Sequence, residues 1–560
     1  MPPVMDRVPA EAMITIAVPN FAALQKDLKA VGTLVGQPGF ADQIDQVLLM
    51  AGIEKGLKQD GSLAVVIMPM TKAQIDAGEE PDAIVLIPTP NYAELVGNFG
   101  VATPSGAIDT LNINGEEVFA KDLGEGFAAL GPKKASVEAF SGKAGQMAAH
   151  KKLAGEVGDK LSDKADLSIV VNMQAVRPLA EKSIDEGLER IAGQAAAMGG
   201  GAAPNPESMA WIKENIFKDG LGMVAGLTID NMGVSLDTTL SFAAGSKMAK
   251  ALTAPGTSTG LISKLPAGPY LAVLALDTSA PERRALVREF ADLAAKGGAA
   301  NSAAAIQAKS FVDTIENSDG QAMMVGVSPG GLMGGLLVSS VSYVATKDPA
   351  AFVAQRKGYI KAMIDGKHAT GKVEDNASEV NGKKVDSFEM RLIADPNNPF
   401  AAQGSMMMFG PAGGPSGFIA KAEGGVIETF AKNSQLLGAA LNTAAKGENS
   451  QGQDKILALI GERLPANRVA EIYIGTKGIL DTVMPMAAMF GGPQLNVDIP
   501  QDLPPVGLGI TPNGGSVTAS IYLPAPVLKT FGELAKQLQG ALGNGENAAG
   551  DKPAARQPGF

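Results

Sequence analysis

Few stretches of this 560-residue sequence hold residue types that could do chemistry at a usable spacing. Gly256-Thr257-Ser258-Thr259-Gly260 has the spacing of a nucleophile elbow, in which a strained strand-to-helix turn exposes the serine to a histidine base. Here the string lies in a linker with no apolar strand before it, and the two histidines, His150 and His368, sit in Lys-rich polar stretches. A linker is expected there, not a hydrolase site. Gly366-Lys367-His368-Ala369-Thr370-Gly371-Lys372 looks like a phosphate-binding loop, but Val373 stands where Ser or Thr would reach magnesium, and a helix-like stretch (350–364) precedes it where the motif needs a strand. Gly410-Pro411-Ala412-Gly413-Gly414-Pro415-Ser416-Gly417 reads as turn material without a Rossmann setting.

Carboxylates are plentiful and unclustered, no Asp-rich loop has calcium spacing, and two histidines cannot supply a three-histidine zinc site. No catalytic, cofactor-binding or metal-ligating residue is assigned, and no cofactor is expected. Two acids brought together by folding leave no sequence trace, so a hydrolase with a carboxylate site between two halves of the chain stays open as an alternative.

Methionine is the unusual residue type, with 24 copies against 6 Tyr and 1 Trp. Groups occur at Met406, Met407 and Met408 and at Met484, Met486 and Met489. Unbranched thioether side chains suit adaptable apolar surfaces, so these six are the candidates for an apolar ligand site or a subunit interface; gap-filling in an Ala/Gly-rich core is the plainer reading.

Composition narrows the classes further. A net charge of −11, with no Lys/Arg stripe interleaved with aromatics, repels phosphate backbones, so nucleic acid is not an expected partner. Cysteine is absent, which removes thiolate chemistry and disulfides and fits an oxidising, extracytoplasmic address, periplasmic or secreted. Met1-Pro2-Pro3-Val4-Met5-Asp6-Arg7 lacks the apolar core of a signal peptide. The chain is therefore read as a mature form with its leader removed, or else as cytoplasmic. Residues 321–346 carry no charge over more than the roughly 20 positions a spanning helix needs. Ser328-Pro329-Gly330-Gly331 at their centre marks a buried hairpin, so no transmembrane segment is expected.

The elements show internal repetition. Asp60-Gly61, Asp219-Gly220 and Asp319-Gly320 each open an apolar strand, and a fourth hairpin signal runs from Gly507 through Asn513-Gly514. Gly220 is expected to take positive φ. Short apolar strands at 13–18, 167–171, 270–276 and 470–474 each lead into a helix, and residues 40–51 and 303–315 have helical apolar spacing. A third pairing matches Asn114-Gly115 with Asn381-Gly382, Gly126-Phe127 with Gly417-Phe418, and the stretch around Glu138 with that around Glu428. The fold class is thus α+β: two similar halves, each with antiparallel or mixed sheets packed by helices, in about four strand–helix–hairpin units. The units span 1–160, 161–260, 261–445 and 446–540, with a disordered tail at 541–560.

The opening Val8-Pro9-Ala10-Glu11-Ala12-Met13-Ile14-Thr15-Ile16-Ala17-Val18-Pro19-Asn20 resembles the start of a family of exported bacterial proteins of unknown function that carry leader peptides and duplicated strand–helix–hairpin modules. The resemblance implies export and supplies no active-site residue. The expected function is a non-enzymatic extracytoplasmic structural or binding protein, assembling with copies of itself or holding an apolar ligand.

Overall fold

The computed structural model describes residues 1–37, 39, 55–100, 107–197, 206–295, 303–393, 399–489, 495 and 497–548. The expected helix at 40–51 lies outside them.

The chain is mixed helix and strand, built on one large antiparallel sheet. From one edge the order is β4 (Asp109–Ile113), β5 (Glu116–Gly124), β6 (Phe127–Gly131), β3 (Ala83–Pro88), β2 (Leu63–Ile67), β1 (Ile14–Val18), β7 (Leu167–Asn172), β8 (Gly220–Asp230) and β9 (Gly233–Phe242). It continues through β19 (Ser516–Pro524), β18 (Val506–Pro512), β17 (Ala470–Ile474), β10 (Tyr270–Asp277), β11 (Gly320–Gly326) and β12 (Val341–Ala345). The far edge is β16 (Gly425–Thr429), β15 (Ser416–Ala422), β14 (Lys383–Leu392) and β13 (Ala369–Val380). Between β9 and β19 runs a seam paired from Gly233 opposite Pro524 to Ser241 opposite Ser516.

Local sequence explains the elements. Strands β1, β7, β10 and β17 each lead into a helix: Phe21–Leu34, Met173–Ala197, Pro281–Ala295 and Thr476–Met489. Asn20 caps the first of these by accepting from the Ala23 N–H at 3.0 Å. Each helix precedes an antiparallel pair, namely β2 with β3, β8 with β9, β11 with β12 and β18 with β19. The apolar stretch at 321–346 supplies the pair β11 and β12, but residues 327–340 with the short helix Gly331–Gly334 connect them in place of the expected tight turn at 328–331, and no helix among the described residues is long and apolar enough to cross a membrane.

Three expectations are corrected. The Asn114-Gly115 turn joins β4 to β5, whereas Asn381-Gly382 joins β13 to β14, one strand farther from the seam. Phe127 in β6 borders β3, but Phe418 in β15 is separated from β12 by β16, and Glu138 is in a helix while Glu428 is in β16. Matched letters thus occupy different positions, because Gly-Phe and Asn-Gly strings report turns rather than places in a sheet. Gly220 does not have positive φ; a Cβ there would lie 2.4 Å from the Ile216 carbonyl oxygen, so close approach excludes a side chain. The last helix runs Ala525–Ala548, past Gly540 into the expected tail, and residues 549–560 lie outside the described ones.

The two faces of the sheet differ. One is largely covered: Ala17, Ala64, Val66, Ile84, Val170 and Val224 on the β1 side, and Val273, Ala322, Met324, Tyr343 and Ile427 on the β10 side, are buried. On the other face the alternate positions of the central strands are aliphatic yet incompletely covered. Register aligns Leu167, Leu227, Leu236, Ile521, Leu508, Ile472, Leu274 and Met323 as successive cross-strand partners. Directly opposed residues in antiparallel strands point to the same side. The result is one apolar row over eight strands, about 34 Å at about 4.8 Å per strand. Leu236 remains 42% exposed and Ile472 40%.

Candidate functional site

The row ends in a cavity of about 380 Å³. Its floor is made by successive partners across β10, β11, β12 and β16: Leu274, Met323, Ser342 and Glu428. One wall is the helix Ala303–Asn317, whose Gln307, Ser310, Phe311 and Thr314 fall at i, i+3, i+4 and i+7 on a single face. The other is the helix Pro349–Asp365, contributing Phe352, Arg356, Tyr359 and Ile360. Asp348 fixes the start of that helix by accepting from Ala350 N at 3.1 Å and Ala351 N at 2.9 Å, with Pro349 in the first turn. Phe388, Phe409 and Phe430 bring the aromatic side chains around the cavity to six.

A single ion pair stands in this apolar setting. Arg356 donates from Nη2 to Glu428 Oε1 at 2.8 Å and from Nε to Oε2 at 3.1 Å, a bidentate fork. Its Nη1 has Ser310 Oγ at 3.5 Å, and the guanidinium lies 5.2 Å from the Tyr359 ring centroid. Burial opposes the charge on Arg356, but the Glu428 carboxylate outweighs it and holds the guanidinium above its ordinary pKa. Burial pushes the Tyr359 phenol upward as well. At neutral pH Arg356 therefore stays cationic and Tyr359 stays protonated, and neither is poised to relay a proton.

Met406, Met407 and Met408 lie beside the cavity on the helix Pro399–Phe409 and are exposed, as is Met333. Leu336 N and Leu337 N donate to the Met407 and Met408 carbonyls at 3.0 and 2.9 Å, and Leu337 lines the cavity. Met484 is elsewhere, half-buried against Leu480, Val527 and Leu534. Met486 and Met489 share its helix, but their side chains lie outside the described residues.

The other motif-bearing residues are structural. Ser258 is fully buried and donates to Glu471 Oε1 at 2.9 Å, while Glu471 Oε2 accepts from Arg468 Nε and from the Tyr473 hydroxyl, both at 2.8 Å. This network pins the linker to β17 and leaves the serine closed to any substrate. The Gly366–Lys372 string follows a helix and enters β13, the reverse of a phosphate loop. At the seam, a cavity of about 350 Å³ is lined by Lys160, Lys164 and Arg463 and presents one carboxylate, Asp237, whose pKa burial raises. Among the described residues no group of three His, Cys, Asp or Glu side chains could hold a metal ion.

Sequence reasoning missed Arg356 and Glu428. Glu428 was detectable as the one charge in the apolar run Gly425-Val426-Ile427-Glu428-Thr429, because a carboxylate in a buried strand requires a cation. Which cation depends on how the Pro349–Asp365 helix lies across β16, and that crossing has no local signature.

The sequence matches no family model and no curated protein. Among solved structures, crystal form IV of TP0453 is matched at 8% identity, over 42% of this chain and 79% of that one, with a TM-score of 0.21. At that score the likeness supports no statement about fold or function.

Proposed function

We propose that this chain is a non-enzymatic binding protein that holds an apolar ligand in the aromatic-lined cavity. The observation that supports this most is the lining: six aromatic side chains with Leu274 and Met323 stand around one bidentate ion pair. Apolar walls with a few fixed polar groups are the usual make-up of a small-molecule site. The exposed Met333, Met406, Met407 and Met408 form an adaptable rim through which the ligand enters, or through which copies of the chain meet. A carboxylate-pair hydrolase between the halves is less well supported, since the seam cavity offers Asp237 alone.

The same reading makes the architecture a duplication. Counted outward from the seam, β9, β8, β7, β1, β2, β3, β6, β5 and β4 match in order β19, β18, β17, β10, β11, β12, β16, β15 and β14, with β13 added at one edge. We infer an extracytoplasmic location, as in the exported family that the N-terminus resembles, and the absence of cysteine from 560 residues supports it.

The test is binding of the neutral apolar probe N-phenyl-1-naphthylamine to the full chain, read by fluorescence. Saturable binding that Ser342→Phe abolishes by filling the cavity floor is expected. No binding by the wild type, or binding unchanged in the variant, overturns the cavity as the ligand site.

A further inference from the structure

Resting on that reading, we propose that the ligand is a neutral-headed single-chain amphiphile, its head at the Arg356–Glu428 pair and its acyl chain along the aliphatic row leaving the cavity. The head follows from charge. Arg356 and Glu428 cancel, Nη1 keeps N–H capacity beyond the 3.5 Å approach to Ser310 Oγ, and a carboxylate has more lone pairs than the two donors it receives. A hydroxyl-bearing head that both donates and accepts is satisfied there. A carboxylate head would meet Glu428 and an ammonium head would meet Arg356, each inside a poorly solvated cavity where like charges repel strongly.

The chain follows from shape and continuity. From Glu428 through Ser342 and Met323 to Leu274 is three strand spacings, about 14 Å. That is close to half of the roughly 30 Å hydrocarbon thickness of a bilayer, the depth one acyl chain fills. Beyond Leu274 the row goes on through Ile472, Leu508, Ile521 and Leu236 with no aromatic and no charged member. An eight-carbon chain ends inside the cavity, while a sixteen-carbon chain drawn out on the row reaches Ile472, four strand spacings or about 19 Å from Glu428.

The experiment is displacement of N-phenyl-1-naphthylamine from the full chain by 1-monoacylglycerols of 8, 12 and 16 carbons, supplied from cyclodextrin. A fully buried methylene contributes about 0.8 kcal/mol, about fourfold in affinity. A one-sided face gives about half that energy, about twofold, so four methylenes between 12 and 16 carbons should tighten binding about 16-fold. Ile472→Asp should remove that gain and leave the eight-carbon ligand unchanged, and palmitate should bind at least about tenfold more weakly than monopalmitin. Naphthylamine binding with acylglycerol affinities that level off after 8 carbons overturns the chain track and leaves the cavity reading standing. Absence of naphthylamine binding overturns both. The chain-length series uses unaltered protein, so it decides the matter even if Ile472→Asp does not fold. A concentration-dependent dimer that Ile472→Asp dissociates would mean that a second copy occupies the row, which also overturns the proposal.

Discussion

Replacing Glu428 by Leu tests whether the bidentate pair is buried as described. The substitution places an apolar side chain of similar size in a strand whose five residues are all buried, and it leaves the Arg356 guanidinium with Ser310 Oγ at 3.5 Å and the Tyr359 ring as its partners, neither of them charged. Removing one member of a buried pair costs about 3–5 kcal/mol, whereas exchanging both members for apolar residues is near neutral. Unfolding entropy of about 2.1 cal/mol/K per residue, over 560 residues, is about 1.2 kcal/mol/K if the chain unfolds cooperatively. A loss of about 4 kcal/mol then lowers Tm by about 3 °C. Arg356→Met should behave similarly, and the double variant Arg356→Met/Glu428→Leu should return to within about 1 °C of wild type. Far-UV circular dichroism is the suitable probe, because Trp211 packs against Phe290 and not against the cavity. A Glu428→Leu shift under about 1 °C, or a double variant as unstable as the two singles combined, would refute the reasoning.

Burial lowers the pKa of His150, whose Nε2–H donates to the Val8 carbonyl at 2.8 Å. The unfolded chain therefore takes up the proton first on acidification, so stability from this group is intact above about pH 6.5 and is lost as pH falls through the folded value. Urea titrations across that window should show the slope, and His150→Phe should remove its share of it. Gly220→Ala places a Cβ 2.4 Å from the Ile216 carbonyl oxygen and should destabilise by about 1–3 kcal/mol in urea unfolding; an unchanged midpoint would contradict the packing of β8. Ser258→Ala removes one hydrogen bond to a buried carboxylate and should cost about 1–3 kcal/mol while leaving naphthylamine affinity as it was. A loss of ligand affinity without loss of stability would overturn the structural role given to Ser258.

Short-range pattern made the elements legible. The strand before each of four helices, the Asn20 cap and the Asn513-Gly514 hairpin are local devices, and each stands where its residues predict. What depends on distant partners was not legible. Asn-Gly strings state that a turn occurs and not which strand is crossed, so the third pairing misplaced β15 against β6. Gly220 was legible as a required glycine but not for its reason, since the Ile216 carbonyl that excludes a side chain arrives from the preceding helical turn. The fold separates the methionine groups, leaving Met406 to Met408 exposed beside the cavity and packing Met484 into a satellite core, and composition cannot distinguish those two settings. The cavity needs two helices crossing four strands, a coincidence of long-range geometry that no window of sequence encodes.

The seam between β9 and β19 sets the order in which the molecule can be made. Strand β9 ends at Phe242, and its partner is complete only at Pro524. At roughly 5–20 residues per second, the ribosome needs on the order of 15 to 60 seconds to deliver that strand. Until it arrives, the nascent sheet ends on β9 with its outward N–H and C=O groups unpaired, beside the aliphatic side chains of Leu227 and Leu236. Such an edge invites pairing with any extended chain nearby. Truncations that stop before Ser516 should therefore leave aggregates rather than smaller soluble proteins, and the risk should fall only when the final hairpin closes the gap.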